Sequence, residues 1–179
     1  MKQITVDSLI NDVLGKEGGY VHHPADKGGP TKYGITQATL GKWCGVPVTE
    51  RDVRLLSEDH AREIYKSEYL EKPGIYRLPE ILQPLVFDMA VNHGPGKAIK
   101  LLQEVVDRMS GKTIAHDGKI GKITVAACNI AVNVYGKEVV RQLILRRKDF
   151  YRSIVDSDPT QAVFLDGWLN RADSFLIGK

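Results

Sequence analysis

The chain has 179 residues, 42% of them hydrophobic and 26% charged, and 25 basic against 22 acidic side chains give a formal net charge of +3. This length and apolar content suffice for one packed domain or two very small ones and exclude a disordered chain. The longest uncharged run, Ile123 to Gly136, has 14 residues, too short to span a bilayer, and reads as a buried helix.

In chain order, Val6, Leu9, Ile10, Val13 and Leu14 have helical spacing behind Thr5 as cap, and Gly18-Gly19 stops the pattern. Lys2, Asp7, Asn11 and Asp12 interrupt its apolar positions, so this segment lacks the features of a secretory signal and the protein is expected to be made in the cytoplasm. Tyr20-Val21-His22 and Thr31 to Ile35 flank a Pro/Gly-rich stretch and predict a short β-hairpin or a loop of that shape. Thr36 caps a helix to about Cys44, Thr49 and Asp52 have capping-box spacing, and Ser57 starts a helix through about Leu70. Pro84 opens an apolar helix, Leu85 to Asn92, closed by Gly94 and read as a central buried helix. Further helices are expected at about 96–109, 123–134, 136–155 and 159–176, with a turn at Asp117-Gly118. Cys44 and Cys128 read as reduced core residues, and Glu63, Glu68 and Glu71 as a solvated helix face.

The charge is uneven. Between Lys137 and Arg152 six basic residues face two acids, a local +4. On a helix advancing about 100° per residue, Lys137, Arg141, Lys148 and Arg152 share one arc of roughly 60°, a basic stripe that is either a solvated face or a contact for a polyanionic surface such as nucleic acid or an anionic envelope of lipid headgroups or cell-wall polymer. No nucleic-acid recognition motif accompanies it, so a nucleic-acid partner is not expected. The five histidines form no metal-ligand pattern, and no metal is expected.

The segment Lys16 to Thr36 is the richest in chemistry. Glu17 follows a predicted helix C-terminus, where the negative end of the macrodipole disfavours a carboxylate and raises its pKa. An acid kept partly protonated near neutral pH is what cleavage of a glycosidic bond needs, since the leaving oxygen takes a proton in the transition state. Nine residues on, across the hairpin, Asp26 is placed to offer a second carboxyl group, and Thr31 a hydroxyl that holds water. Against this, a glutamate before Gly-Gly also solvates a helix end, and Asp26 before Lys-Gly-Gly is also ordinary turn chemistry.

Glu17-Gly-Gly-Tyr20, followed by Asp26-x-Gly28-Gly29-x-Thr31-x-x-Gly34-Ile35-Thr36, resembles the signature of glycoside hydrolase family 108, a family of N-acetylmuramidases. The likeness continues through Phe87-Asp-Met-Ala-Val-Asn92-His-Gly94, Ala98 to Gln103, and Asp117-Gly-Lys-Ile-Gly121-x-x-Thr124, which is similar to a motif of helical peptidoglycan-binding modules. It spans about residues 8–175. The resemblance implies cleavage of the β-1,4 bond between N-acetylmuramic acid and N-acetylglucosamine, with Glu17 as essential acid. The lysozyme-like superfamily is similar in placing an aspartate or cysteine about nine residues on and a threonine soon after. Thr31 comes one residue earlier than that pattern. Asp26 either activates water or shapes the loop.

The expected fold is mainly α and lysozyme-like, with a small β-hairpin beside the helix that carries Glu17. Residues 1–94 form a catalytic region and 95–179 a helical peptidoglycan-binding-like region, packed together as one compact unit. Tyr20, Tyr33 and Trp43 are candidates for a sugar-stacking wall, or core residues. Asp88 and Asn92 share a helix face with His93 nearby; they line the cleft floor, or Asn92-His93-Gly94 simply closes the helix. The expected protein is a monomeric, cofactor-free endolysin acting on peptidoglycan after release through a holin in phage-induced lysis. A lytic transglycosylase and a non-catalytic cell-wall-binding protein are the alternatives.

Overall fold

The computed structural model describes residues 4–16, 19–21 and 29–176, with Lys16 described in its backbone only. Two compact units divide the chain, Thr5–Lys72 and a second that runs from Pro73 onward.

The N-terminal unit begins with helix α1, Val6–Lys16, where Thr5 Oγ1 accepts the Ser8 N–H at 3.1 Å and Ser8 Oγ accepts the Thr5 N–H at 2.9 Å. Ile10 and Leu14, four apart on one face, are buried. A small antiparallel sheet follows: β1 Tyr20–Val21, β2 Thr31–Lys32 and β3 Ile35–Thr36, in that order. Tyr20 pairs with Lys32 and Val21 with Thr31, while Thr31 also pairs with Thr36 and Lys32 with Ile35. The expected hairpin is therefore three-stranded. Thr31 to Ile35 is split by a two-residue turn in which Tyr33 and Gly34 both have positive φ, 52° and 72°, the backbone of a tight hairpin. An aromatic residue there is strained, and the Tyr65 hydroxyl, donating to the Tyr33 carbonyl at 2.9 Å, helps hold it in place.

Helix α2, Gln37–Cys44, is capped by Thr36 and ends at left-handed Gly45. Helix α3, Glu50–Leu55, starts in the reciprocal Thr49–Asp52 capping box. Helix α4, Glu58–Lys66, is capped by Ser57 and runs into a π-helical turn, Ser67–Glu71. In that turn Glu68 is only 8% exposed and forms ion pairs with Lys72 and Lys42. Of the three glutamates read as a solvated face, Glu63 and Glu71 are exposed, but the wider turn carries Glu68 inward.

The second unit opens with a 3-10 turn, Ile75–Arg77, and then α5, Gln83–His93, with Pro84 in its first turn and six consecutive buried residues, Leu85 to Ala90. Helix α6, Pro95–Ser110, packs extensively on α5 and on α7, Lys122–Tyr135. Helix α7 is not wholly buried: Ala127, Cys128 and Ala131 face inward, while Ile123 and Val134 are largely exposed. The long α8, Lys137–Ser157, and α9, Ala162–Asp173, complete the unit, with 3-10 turns at Pro159–Gln161 and Ser174–Leu176. Cys128 is buried, which pushes its thiol up to about 12, whereas Cys44 is exposed instead of sitting in the core. Among the described residues no helix is long and apolar enough to cross a membrane.

The motif Asp117-Gly-x-x-Gly-x-x-Thr124 is a lock on α6. Buried Gln103 donates through Nε2 to Asp117 Oδ1 at 2.9 Å, to the Lys119 carbonyl at 3.1 Å and to Thr124 Oγ1 at 3.2 Å. Its Oε1 accepts the Gly118 N–H at 2.8 Å. The Gln103 amide and then the Lys119 N–H hold the Asp117 carboxyl below its ordinary pKa. Gly118 has φ +77°, and a Cβ there would stand 2.8 Å from the Gly96 carbonyl oxygen, so only glycine fits.

Candidate active site

Glu17 follows α1 directly in sequence and Asp26 lies between β1 and β2; both fall outside the described residues. What the structure describes is the framework on either side of them. Thr31 sits at the centre of the sheet, paired on both sides, and its Oγ1 donates to the Gly29 carbonyl at 3.1 Å. With its proton committed there, the hydroxyl oxygen keeps lone pairs for accepting a further hydrogen bond.

Tyr20 is clamped. Its hydroxyl donates to Glu50 Oε1 at 2.5 Å, and the Arg54 guanidinium lies 4.0 Å from its ring centroid. Arg54 in turn donates to the same Glu50 oxygen through Nε at 3.2 Å and Nη2 at 2.7 Å. Partial desolvation first, and then the Glu50 hydrogen bond, raise the Tyr20 pKa. Arg54 thus covers one face of this ring. Lys32 Nζ, which donates to the Arg54 carbonyl at 2.7 Å, also stands 5.3 Å from the Tyr33 ring, and Trp43 is tilted against His60 at 6.4 Å. Beside the sheet an open groove of about 650 Å³ runs past Gly29, Pro30, Gln37, Lys42, Val46 and Val48. Gln37 Nε2 donates to the Val48 carbonyl at 2.6 Å and fixes the loop after α2 as one wall.

Asp88, Asn92 and His93 belong to the other compact unit, where Asp88 is buried, His93 half-buried and Asn92 exposed. Asp88 is 2% exposed; its Oδ1 accepts from Arg171 Nε at 3.0 Å and Nη2 at 2.7 Å. Arg147, fully buried, brings Nη2 to 2.6 Å from Asp88 Oδ2, a charge contact whose angle is not that of a hydrogen bond. A carboxylate held by two guanidinium groups is an ion-pair hub, so the side chain expected from the sequence to meet a sugar has its oxygens engaged by Arg147 and Arg171. Asn92 Nδ2 donates to the Asp88 carbonyl at 2.6 Å and so closes its own helix. His93 packs edge-on against Phe150 and Tyr151, at 5.3 and 5.6 Å, and burial, reinforced by Arg147, lowers its pKa to about 4.

The basic stripe is largely compensated. Lys148 Nζ lies 2.8 Å from Asp173 Oδ2, Arg141 pairs with Glu138 at 3.4 Å, and Arg152 pairs with Asp149 at 3.0 Å. Two more of the six cations never reach the surface as free charge: Arg147 is buried, and Arg146 pairs with Glu104. Glu138 and Asp149 are already counted in the local +4, and Glu104, Asp88 and Asp173 bring acids from outside the segment to three further cations, so the stripe is a largely salt-bridged face. Glu104 and Asp173 lie 42 and 25 residues from their partners, outside any helical-spacing argument. Among the described residues no group of three His, Cys, Asp or Glu side chains is placed to hold a metal ion.

A family model described as Glycosyl hydrolase 108 matches residues 10–94, and one described as Predicted Peptidoglycan domain matches residues 97–173. The solved structure of SagA from Brucella abortus is 32% identical, with a TM-score of 0.77, and the match covers 94% of this chain and 90% of that one. The chain belongs to glycosyl hydrolase family 108. No curated protein matches it. As a member of this family it is a glycoside hydrolase with a mainly α, lysozyme-like fold, and the second matched region makes it a peptidoglycan-hydrolysing enzyme. In this family-108 chain the two descriptions divide it differently. The family models meet at residues 94–97, whereas the compact units meet at Lys72 and Pro73, so α5 is matched with the hydrolase and packed with the second unit.

Proposed function

We propose that the enzyme is an N-acetylmuramidase that cuts the β-1,4 bond between N-acetylmuramic acid and N-acetylglucosamine, with Glu17 as general acid. The observation that carries this reading is the hydrolase-family match across residues 10–94, which includes Glu17-Gly-Gly-Tyr20. The sequence supports it: Gly18-Gly19 stop the helical pattern directly after Glu17, and near a helix C-terminus the negative end of the dipole favours the protonated acid. Glu17 delivers its proton to the leaving oxygen as the sugar develops oxocarbenium character. Asp26 takes the proton of the attacking water. Thr31, its own proton held by Gly29, accepts a hydrogen bond from that water and aims its lone pair at the anomeric carbon. Tyr20, Tyr33 and the groove past Pro30 and Gln37 receive the glycan.

We further read the enzyme as an endolysin that reaches the wall through a holin at the end of a phage cycle. Producing the chain inside cells with and without a holin tests that role; lysis without the pore would overturn it.

Glu17→Gln tests the catalytic assignment. Lysis of purified walls is expected to fall by about 10²–10⁴-fold with an unchanged thermal midpoint. Mass spectrometry of wild-type digests is expected to show reducing N-acetylmuramic acid ends. Anhydro ends would make it a lytic transglycosylase, and lysis retained by Glu17→Gln would remove Glu17 from the chemistry.

A further inference from the structure

A second groove, of about 440 Å³, lies within the unit that begins at Pro73, away from every residue discussed for the reaction. Val105, Arg108 and Met109, at helical spacing on α6, form one side; Tyr135, the last residue of α7, and Glu138 and Gln142 of α8 form the other. Gly136, at φ +53°, turns the chain between α7 and α8 and so brings Tyr135 beside the first turn of α8.

The charges of this groove do not cancel. Gln142 Nε2 donates to Glu138 at 2.7 Å and Arg141 pairs with the same carboxylate, so the acid is satisfied by its own helix. Arg108 is exposed and has no ion pair or hydrogen bond among the described residues, unlike the paired Arg141, Arg146 and Arg152. The groove therefore presents a guanidinium with five donors and no acceptor. Tyr135 is 48% exposed next to it, with its hydroxyl unpartnered among the described residues, and Met109 and Val105 give an apolar floor. A planar cation beside an exposed aromatic ring suits a carboxylate carried on a sugar or an apolar chain: the fork takes the anion with two parallel bonds and the ring takes the neighbouring face.

We propose that this groove binds the stem peptides of peptidoglycan, with Arg108 on a stem-peptide carboxylate and Tyr135 against the adjoining chain. The proposal rests on the enzyme's action on peptidoglycan and deepens it: N-acetylglucosamine carries no charge and the lactyl carboxyl of N-acetylmuramic acid is an amide wherever a stem peptide is attached, so on peptide-bearing wall the carboxylates open to Arg108 are those of the stem peptides. The groove would keep the enzyme on uncut, peptide-rich wall while the hydrolase region works.

The test compares full-length wild type, Arg108→Gln and Arg108→Lys by sedimentation at 4 °C with intact sacculi and with sacculi whose stem-peptide carboxylates are capped as methylamides by carbodiimide coupling, which leaves the cross-links in place. Wild type is expected to bind intact sacculi about tenfold more tightly than capped ones. Arg108→Gln is expected to lose that tenfold on intact sacculi only, and Arg108→Lys to recover part of it, because it keeps the charge without the fork. Unchanged binding by Arg108→Gln, or an equal loss on both kinds of sacculi, overturns the proposal. Arg108 is exposed, so all three proteins are expected to share one thermal midpoint. Sedimentation does not depend on turnover, so a wild type that fails to cut sacculi would count against the muramidase reading alone.

Discussion

Gln103 and Gly118 face each other across a 2.8 Å hydrogen bond from the Gly118 N–H to the Gln103 side-chain oxygen, and the same side chain binds Asp117, Lys119 and Thr124 through its nitrogen. The residues that make the 117–124 segment look like a binding motif are spent on fastening it to α6. Its chemistry faces inward, toward an amide that is 1% exposed.

Replacing Gln103 by Leu keeps most of the volume but strands the Gly118 N–H and removes the amide's bonds to Asp117, Lys119 and Thr124. A loss of about 2–4 kcal/mol is expected, read as the shift in urea midpoint at constant slope. Gly118→Ala is expected to be destabilising as well, by more than about 1 kcal/mol, because its Cβ meets the Gly96 carbonyl at 2.8 Å and its φ is +77°. A Gly118→Ala protein as stable as wild type would show that this turn relaxes freely.

The Asp88 hub joins segments matched by two different family models: α5 with the hydrolase, and Arg147 and Arg171 with the peptidoglycan domain. Asp88→Ala leaves the fully buried Arg147 without a counter-charge, and a loss of about 3–5 kcal/mol is expected. The double variant Asp88→Leu/Arg147→Met removes both buried charges and is expected to regain much of that loss. If it is no more stable than Asp88→Ala, the ion pair itself is not the source of the effect. The same packing predicts that a fragment ending at residue 94 is insoluble, since it would expose Leu85, Val86, Phe87 and Met89.

Thr31 separates two roles in one residue. Thr31→Ser keeps the hydroxyl and is expected to retain most activity, whereas Thr31→Val keeps the shape and is expected to lose about tenfold or more in kcat with little change in KM. Equal activity in Thr31→Val would reduce the hydroxyl to its bond with the Gly29 carbonyl.

Helices were legible in the sequence because their determinants are local. Caps at Thr36, Thr49 and Ser57, the Gly94 stop and the apolar spacing of α1 all act within a few residues, and each lies where expected. The sheet was half legible: the pairing of Tyr20-Val21 with Thr31-Lys32 follows from β-prone residues around a Pro/Gly stretch. The turn at Tyr33-Gly34 was hidden because tyrosine rarely takes positive φ, and its support comes from Tyr65, 32 residues away. Charge was the least legible feature. Lys148 and Asp88 acquire their meaning from Asp173, Arg147 and Arg171, and no periodicity links such partners. In the same way Glu68 belongs to a regular helix by spacing, and only the π turn carries it inward.

The His93 environment makes a pH prediction with a definite sign. Burial, aided by the positive charges of Arg147 and Lys97 and only partly opposed by Asp88, lowers its pKa from 6.5 to about 4. The unfolded chain therefore binds a proton on this residue as pH falls through about 6.5, while the folded protein does not until about 4. Stability is complete above that window and is lost progressively as pH falls across it, by up to about 3 kcal/mol. His93→Phe keeps an aromatic ring against Phe150 and Tyr151 but removes the titration. Measured by urea denaturation between pH 7.5 and 4, the wild type is expected to lose stability faster than His93→Phe, because the carboxylates titrate in both proteins and drop out of the difference. Parallel curves for the two proteins would mean that His93 takes up its proton in the folded state as readily as in the unfolded one.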